Sequence, residues 1–382
     1  MSKLIRSLQV FPADYVEARA KFLEAVADAG LHAESHAHPG LGPAGEVLAT
    51  DSVWIGDTDA GNVLVLLSAT HGVEGFCGSA AQIDFLHAMP ALPADTAALI
   101  IHAINPHGFA WLRRVTAEGV DLNRNFVDFD KPLPENPGYD ELADAIVPDS
   151  LDEASIRAAD AKLADYLAKH GVREFEIALS GGQYNHPHGM FYGGTEPTWS
   201  RLTTETLIAR HRLAARRRVA LIDFHTGLGP FGYGEPICDH PPESLGVRLA
   251  RKWYGDSVTQ PALGTSTSVP KTGLADIGWQ EMLGEPLVYV ALEFGTYSFE
   301  AMKAALRADH WLHAQGAVDW SSDETRRVKA AIRRQFYPDS DDWKEMVLFR
   351  SRQMIRQALV GMATWPGCGF RSKSGCSLRV LD

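Results

Sequence analysis

The sequence predicts an α/β protein with a mixed, largely parallel central sheet flanked by helices, and three observations carry that expectation. Val63–Leu67, Ala97–Ile104, Val219–Phe224 and Leu287–Leu292 are apolar along nearly their whole length, as strands buried on both faces of a parallel sheet are. Segments of helical periodicity separate them, as parallel crossovers require. Each run also leads into a residue or turn with chemistry to offer, at the edge where open parallel sheets hold ligands.

Taken in order, Val16, Ala20, Phe22, Leu23 and Val26 recur at helical spacing across residues 14–29, and Gly30 is placed to stop the helix. Residues 35–45, rich in Gly, Pro and His, read as a connection. Strands are expected over residues 46–55 and 62–67, a helix over 76–88, and a further strand over 97–104. That strand closes on Asn105-Pro106-His107-Gly108, a turn sequence. Residues 131–148, rich in Pro, Asp and Glu, read as a surface excursion, and the Ala-rich stretch 151–169 as a helix. The glycine- and aromatic-rich stretch from Gly182 to Gly194 is a long loop, and such loops carry function more often than not. A helix over 199–217 leads to the strand 219–224, which ends at His225, and the strand 287–292 ends at Glu293. Amphipathic stretches over 299–313, 323–335 and 342–362 complete the chain. Residues 1–365 are expected to form a single domain with helical decorations at both ends, and 366–382 a loosely ordered tail.

Composition narrows the function classes. The 382 residues are 45% hydrophobic and 22% charged, with a net charge of -12, which suits a soluble globular protein and disfavours a nucleic-acid partner. The four cysteines form no C-x-x-C pair, against a disulfide framework or a cysteine-held zinc. No apolar run reaches membrane-spanning length and the N-terminus has no signal-peptide core, so a cytoplasmic protein is expected.

The chemistry gathers at the strand ends. His71 and Glu74 lie three residues apart in a glycine-flanked turn and offer a metal one nitrogen and one oxygen. Parallel strands bring them to the same sheet edge as His225 and Glu293. Two imidazoles and one carboxylate then meet with a second carboxylate to spare, the composition of a catalytic rather than a structural zinc site. Most of the fifteen histidines have no such setting; His87, His102, His170, His211 and His313 read as helix, strand or surface residues. No G-x-S-x-G elbow and no H-E-x-x-H helix occurs.

Five fragments in order, His71-x-x-Glu74, Asn105-Pro106-x-Gly108, Val120-Asp121-Leu122-Asn123-Arg124-Asn125-Phe126, Asp223-Phe224-His225 and Leu292-Glu293-Phe294, resemble the zinc carboxypeptidase superfamily. That superfamily includes the aspartoacylase and succinylglutamate desuccinylase enzymes, and the Gly182–Gly194 loop is similar to a little-characterised bacterial branch of it. The resemblance spans residues 68–296. It implies one Zn2+ per chain on His71, Glu74 and His225, Glu293 as general base and acid, and Asn123 and Arg124 as the hold on a substrate carboxylate. An arginine from the pair Arg113 and Arg114 would polarise the scissile carbonyl; Arg114 is favoured because it lies nearer the Asp-Leu-Asn-Arg segment, with Arg113 counted among the substrate-binding residues. The superfamily's digestive members have a mobile tyrosine upstream of the glutamate; Tyr289, within a strand, and Tyr254, within a helical stretch, do not match it. Gln183, Tyr184, His186 and Tyr192 of the loop are therefore expected to supply substrate contacts.

The function implied is zinc-dependent hydrolysis of an amide bond beside a free carboxylate, in a small peptide or an N-acyl amino acid. Deacylation of N-acyl amino acids or ester hydrolysis on the same site is the alternative. A non-catalytic module binding zinc and a carboxylate is the reading from another class, and the presence of Glu293 argues against it. Expected partners are the small substrate alone, with no nucleic acid and no membrane; a homo-oligomer is an allowed assembly.

Overall fold

The computed structural model describes residues 8–364. The expected tail from residue 366, with Cys368 and Cys376, lies outside the described residues. A seven-stranded sheet forms the centre, in the order β1-β2-β4-β3-β5-β7-β6. Its strands are β1 (Glu34–Leu41), β2 (Val47–Ile55), β3 (Asn62–Ser68), β4 (Thr96–His102), β5 (Arg218–Gly227), β6 (Gly234–Ile237) and β7 (Leu287–Gly295). The central four, β4, β3, β5 and β7, are mutually parallel. The outer pairings β1–β2, β2–β4 and β6–β7 are antiparallel.

The apolar runs explain this centre. Every residue of β3, β4 and β5 is buried. Successive side chains of β3 enter opposite faces, so Leu64 and Leu66 join one core cluster while Val63, Val65 and Leu67 join another. Helices Tyr15–Asp28, Gly75–Ala88, Leu245–Tyr254 and Asp341–Thr364 contribute to the first cluster, and Trp199–Arg210 and Ala275–Leu283 to the second. Each fully buried Leu or Val is worth roughly 1.5–3 kcal/mol, so apolar burial supplies the main driving force on both faces, with buried hydrogen bonds such as those of Gln82 to Leu66 O and Ile101 O beside it.

Three expectations are corrected. Residues 35–45 are not a simple connection, because Glu34–Leu41 is an edge strand whose register breaks between Ala37 and Leu41, next to Pro39, as prolines in sheets require an edge or a bulge. Within the expected excursion at 131–148, Pro137–Ile146 is a helix, started by the Asn136 side chain accepting from Tyr139 N, with Pro137 in its first turn. The helix expected over 199–217 stops at Arg210, where the chain turns through Arg212 at φ 51°.

The strand order places the site. From β3 the chain moves to β4 on one side and later to β5 on the other, which opens a crevice at the carboxyl ends of β3 and β5. Ala69 and Ala103 both take φ 61°, turning the chain sharply as it leaves β3 and β4. Glycines let the following segments close in. A Cβ on Gly72 would lie 2.0 Å from the Gly108 carbonyl carbon, and one on Gly78 would lie 2.5 Å from Ser68 Cβ. The Asn105-Pro106-x-Gly108 turn thus packs backbone to backbone against the segment that follows His71.

Candidate metal centre and substrate cavity

His71 precedes the short 3-10 turn Gly72–Glu74, Glu74 closes it, and His225 lies near the carboxyl end of strand β5. Their ligating atoms converge. His71 Nδ1 is 3.0 Å from Glu74 Oε1, His225 Nδ1 is 3.1 Å from Glu74 Oε2, and the two Nδ1 atoms are 3.2 Å apart. Four-coordinate zinc with bonds of about 2.0–2.1 Å has ligand-to-ligand edges of about 3.3 Å, so the three residues fit a divalent cation of that size. All three are buried.

The outer nitrogens are held as well. His225 Nε2 is 2.8 Å from Asp223 Oδ2, and His71 Nε2 is 3.1 Å from Asp121 Oδ1. A carboxylate behind each imidazole fixes its tautomer and aims the other nitrogen at the ion. Asp223 is fixed in turn by the Thr70 hydroxyl at 2.9 Å and the Tyr289 hydroxyl at 2.7 Å. Burial by itself would raise the Glu74 pKa, but the two imidazoles overcome it and hold the group below the ordinary carboxylate range. Burial likewise works against a charged His225, and Asp223 and Glu74 outweigh it, raising its pKa well above the usual value. The same negative surroundings that favour a proton there favour a metal cation.

These residues open onto a cavity of about 370 Å³, large enough for a small molecule. Glu293, at the end of β7 and paired in register with His225, lines it. Its Oε1 accepts from Leu228 N at 2.9 Å. Burial and the nearby Glu74 carboxylate push its pKa up to about 7, a value suited to a group that takes and returns a proton near neutrality.

The two adjacent arginines part company. Arg114 lines the cavity, with Nη1 3.1 Å from Glu74 Oε1, Nη2 2.7 Å from His71 Nε2 and Nε 2.9 Å from Asp121 Oδ2. Arg113 points elsewhere: its Nε donates to Asp309 Oδ2 at 3.0 Å, and Lys329 Nζ donates to the other oxygen at 2.6 Å. The backbone of the pair is bonded to the metal-ligand turn, Val73 N donating to Arg113 O and Gly72 N to Arg114 O.

Asn123 and Arg124 also line the cavity. Asn123 Oδ1 accepts from Ala275 N at 2.7 Å, which leaves its amide N–H groups for another partner. Arg124 is fully buried; Nη1 donates to Asn123 O and Nη2 to Ser180 O, while Nε has no partner. Its guanidinium, like that of Arg114, stands over the Phe191 ring.

The Gly182–Gly194 loop acts on the cavity mainly through Arg124. Tyr184 OH donates to Arg124 O at 2.7 Å, and Cβ atoms on Gly193 and Gly273 would lie 2.7 Å and 2.1 Å from that same oxygen. Gln183 Nε2 donates to His186 O and Met190 O within the loop, and His186 faces Asp140 at the surface. Tyr192 O accepts from Asp121 N. Gln183, Tyr184, His186 and Tyr192 do not line the cavity, whereas Phe191 does. Besides Glu176 on the helix Val172–Ser180, two charged lining residues in loops had no signal in the sequence, Asp239 after β6 and Lys271 in the connection before the helix Ala275–Leu283. Each is a lone charge in a loop, with no spacing to mark it.

The family model described as "Protein of unknown function (DUF2817)" matches residues 11–350. No curated protein matches the sequence. Among solved structures, the chain is similar to thrombin activatable fibrinolysis inhibitor at 12% identity, covering 92% of this chain and 72% of that one with a TM-score of 0.43. It is similar to succinylglutamate desuccinylase from Chromobacterium violaceum at 14% identity (84% and 74% covered, TM-score 0.35). It is also similar to murein-tripeptide amidase from Escherichia coli O157 at 19% identity (75% and 96% covered, TM-score 0.33). No helix among the described residues is long and apolar enough to cross a membrane.

Proposed function

The chain belongs to the DUF2817 family, and we propose that it is a zinc-dependent hydrolase that cleaves an amide bond next to a free carboxylate, in a small peptide or an N-acyl amino acid. The observation that carries this reading is the convergence of His71 Nδ1, the Glu74 carboxylate and His225 Nδ1 at 3.0–3.2 Å on the wall of a cavity that also holds Glu293, Arg114 and Arg124. The order of the motifs, which resembles that of the zinc carboxypeptidase superfamily, supports it.

His71, Glu74 and His225 would hold the zinc, which would supply Lewis acidity toward the scissile carbonyl and the attacking water. The protein does the rest. Asp121 and Asp223 hold the imidazoles in the orientation that leaves both Nδ1 atoms facing inward. Glu293 takes a proton from the attacking water and returns it to the leaving amine, a double duty that its raised pKa suits. Arg114, held by Asp121 and Glu74 at the rim of the ligand triad, donates to the developing oxyanion. Arg124 fixes the substrate carboxylate and sets the register of the scissile bond, with Asn123 beside it; a guanidinium fork suits a planar carboxylate.

The test is a paired panel: N-acyl amino acids and dipeptides, each against its C-terminal carboxamide, assayed before and after removal of metal by a chelator. Hydrolysis confined to the free acids and abolished by chelation is the expected result. Equal turnover of acids and carboxamides would remove Arg124 from its assigned role. Activity unaffected by complete metal removal would sink the proposal.

A further inference from the structure

Asp239 and Lys271 face the cavity without the partners that charged groups normally find. Among the described residues the Asp239 carboxylate accepts no hydrogen bond; only its backbone N is engaged, donating to Asp276 Oδ2 at 2.8 Å. Lys271 Nζ donates to the Ser268 hydroxyl and, at 2.9 Å, to Val269 O, but has no carboxylate within ion-pair distance. Leaving a carboxylate and an ammonium group partly buried and apart costs free energy, and a ligand that meets both recovers it.

The loop bearing Lys271 is a built wall. Glu235, 2% exposed, accepts from the Thr259 hydroxyl at 2.5 Å, the Ser266 hydroxyl at 2.8 Å, Thr267 N at 3.2 Å and the Thr267 hydroxyl. Glu235 is the register partner of Glu293 across β6 and β7. The lysine loop is therefore tied to the strand pair that carries the proposed base. Both charges also lie within electrostatic reach of Arg124, the group assigned to the substrate carboxylate. Burial and Asp276 push Asp239 up to about 7, while burial and Arg124 bring Lys271 down to about 8, as befits charges whose ligand is not yet in place.

We infer that Asp239 and Lys271 form a charge-balanced subsite for the side chain of the residue released on the amine side of the bond, selecting a side chain that both donates and accepts hydrogen bonds and carries no net charge. This rests on the function proposed above. With the substrate carboxylate neutralising Arg124, and Arg114 and Glu293 engaged at the scissile bond, the Asp239 and Lys271 pair presents one anion and one cation, while Glu176 lines the cavity from the helix Val172–Ser180. A primary amide meets both, its carbonyl accepting from Lys271 and its N–H donating to Asp239. An aliphatic side chain leaves both unmet, and a side chain of single charge meets one and is repelled by the other. Sites built to hydrogen-bond a group reject its apolar analogue strongly, because their own polar atoms are then left bare.

The test reads binding rather than turnover. Calorimetric titration of the metal-loaded protein with free glutamine, leucine, lysine and glutamate, as amine-side products, should show glutamine bound at least tenfold more tightly than each of the other three. Lys271→Met should shift the lysine-to-glutamate affinity ratio at least tenfold toward lysine, and Asp239→Asn should shift it at least tenfold toward glutamate. Leucine bound as well as glutamine, no measurable binding of any of the four, or variants that change lysine and glutamate in parallel would overturn the inference. Crossed preferences in a protein that hydrolyses no amide would keep the subsite and sink the hydrolase. Hydrolysis without crossed preferences would do the reverse.

Discussion

His225 Nε2 stands 2.8 Å from Asp223 Oδ2, on the side of the ring opposite the Nδ1 that faces Glu74. Asp223 is itself held by hydroxyls from Thr70 and Tyr289, so three strands or strand ends cooperate to aim one nitrogen. Replacing Asp223 with Ala should lower metal affinity about 10- to 100-fold, measured by competition with a chromogenic chelator. Unchanged affinity would mean that the ring is held by packing alone.

Arg114 and Arg113 should separate cleanly. Arg114→Met should reduce kcat by about 10²–10³, the usual cost of losing one oxyanion donor. Arg113→Met, which removes one charged hydrogen bond but leaves Asp309 with Lys329 as its main partner, should instead destabilise the fold by about 1.5–3 kcal/mol in urea without a comparable loss of kcat. A large kcat loss confined to the Arg113 variant would reverse the assignment.

Asp309 gives a stability test with a definite sign. Burial opposes its ionisation, but Lys329 and Arg113 overcome this and hold its pKa well below the ordinary carboxylate range. A carboxylate depressed in the folded state stabilises fully above its unfolded pKa of about 3.9 and loses that contribution as pH falls toward the folded value. Asp309→Asn should therefore flatten the dependence of urea stability on pH below about 4, while lowering stability at pH 7. An acid slope identical to wild type would show that other groups carry it.

Glu293 sets the acid limb of activity. A base must be ionised to act, and burial with Glu74 holds this carboxyl up to about 7. A bound cation draws the midpoint down, so kcat/KM should fall with decreasing pH from a midpoint at or below about 7, approaching tenfold per unit. A pH–rate profile with its acid midpoint clearly above 7 contradicts the role.

The Gly182–Gly194 loop can be tested through its hold on Arg124. A Cβ on Gly193 would lie 2.1 Å from Tyr184 Cε1 and 2.7 Å from Arg124 O. Gly193→Ala should raise KM for carboxylate-bearing substrates more than it lowers kcat. Equal effects on a carboxamide substrate would show that the loop does not act through Arg124.

Much of this was legible in the residues, for physical reasons that also mark where legibility ends. Val63–Leu67 and Val219–Phe224 declare themselves because strands buried on both faces must be apolar throughout. The edge strands β1 and β6 do not, because Pro39 and Pro236 and the polar residues around them are what an edge tolerates. His71, Glu74, His225 and Glu293 stood out by their place at strand ends. Asp223 lies two residues before a ligand, yet nothing in the sequence shows that its carboxylate turns back to the ring. The loop residues Gln183, Tyr184, His186 and Tyr192 looked like substrate groups because loops that rich in polar and aromatic side chains usually are. Tyr184 is instead spent on holding Arg124 O. Asp239 and Lys271 come to the wall of one cavity only in three dimensions.

The most direct measurement is metal content and turnover in Glu293→Gln. Glutamine keeps the size of the side chain but cannot take a proton, and Glu293 is not among the three converging ligands. One zinc per chain, as in wild type, with kcat reduced by about 10³ or more is the predicted result, for a residue that acts as both base and acid. Full turnover in that variant, with zinc bound, would contradict the account.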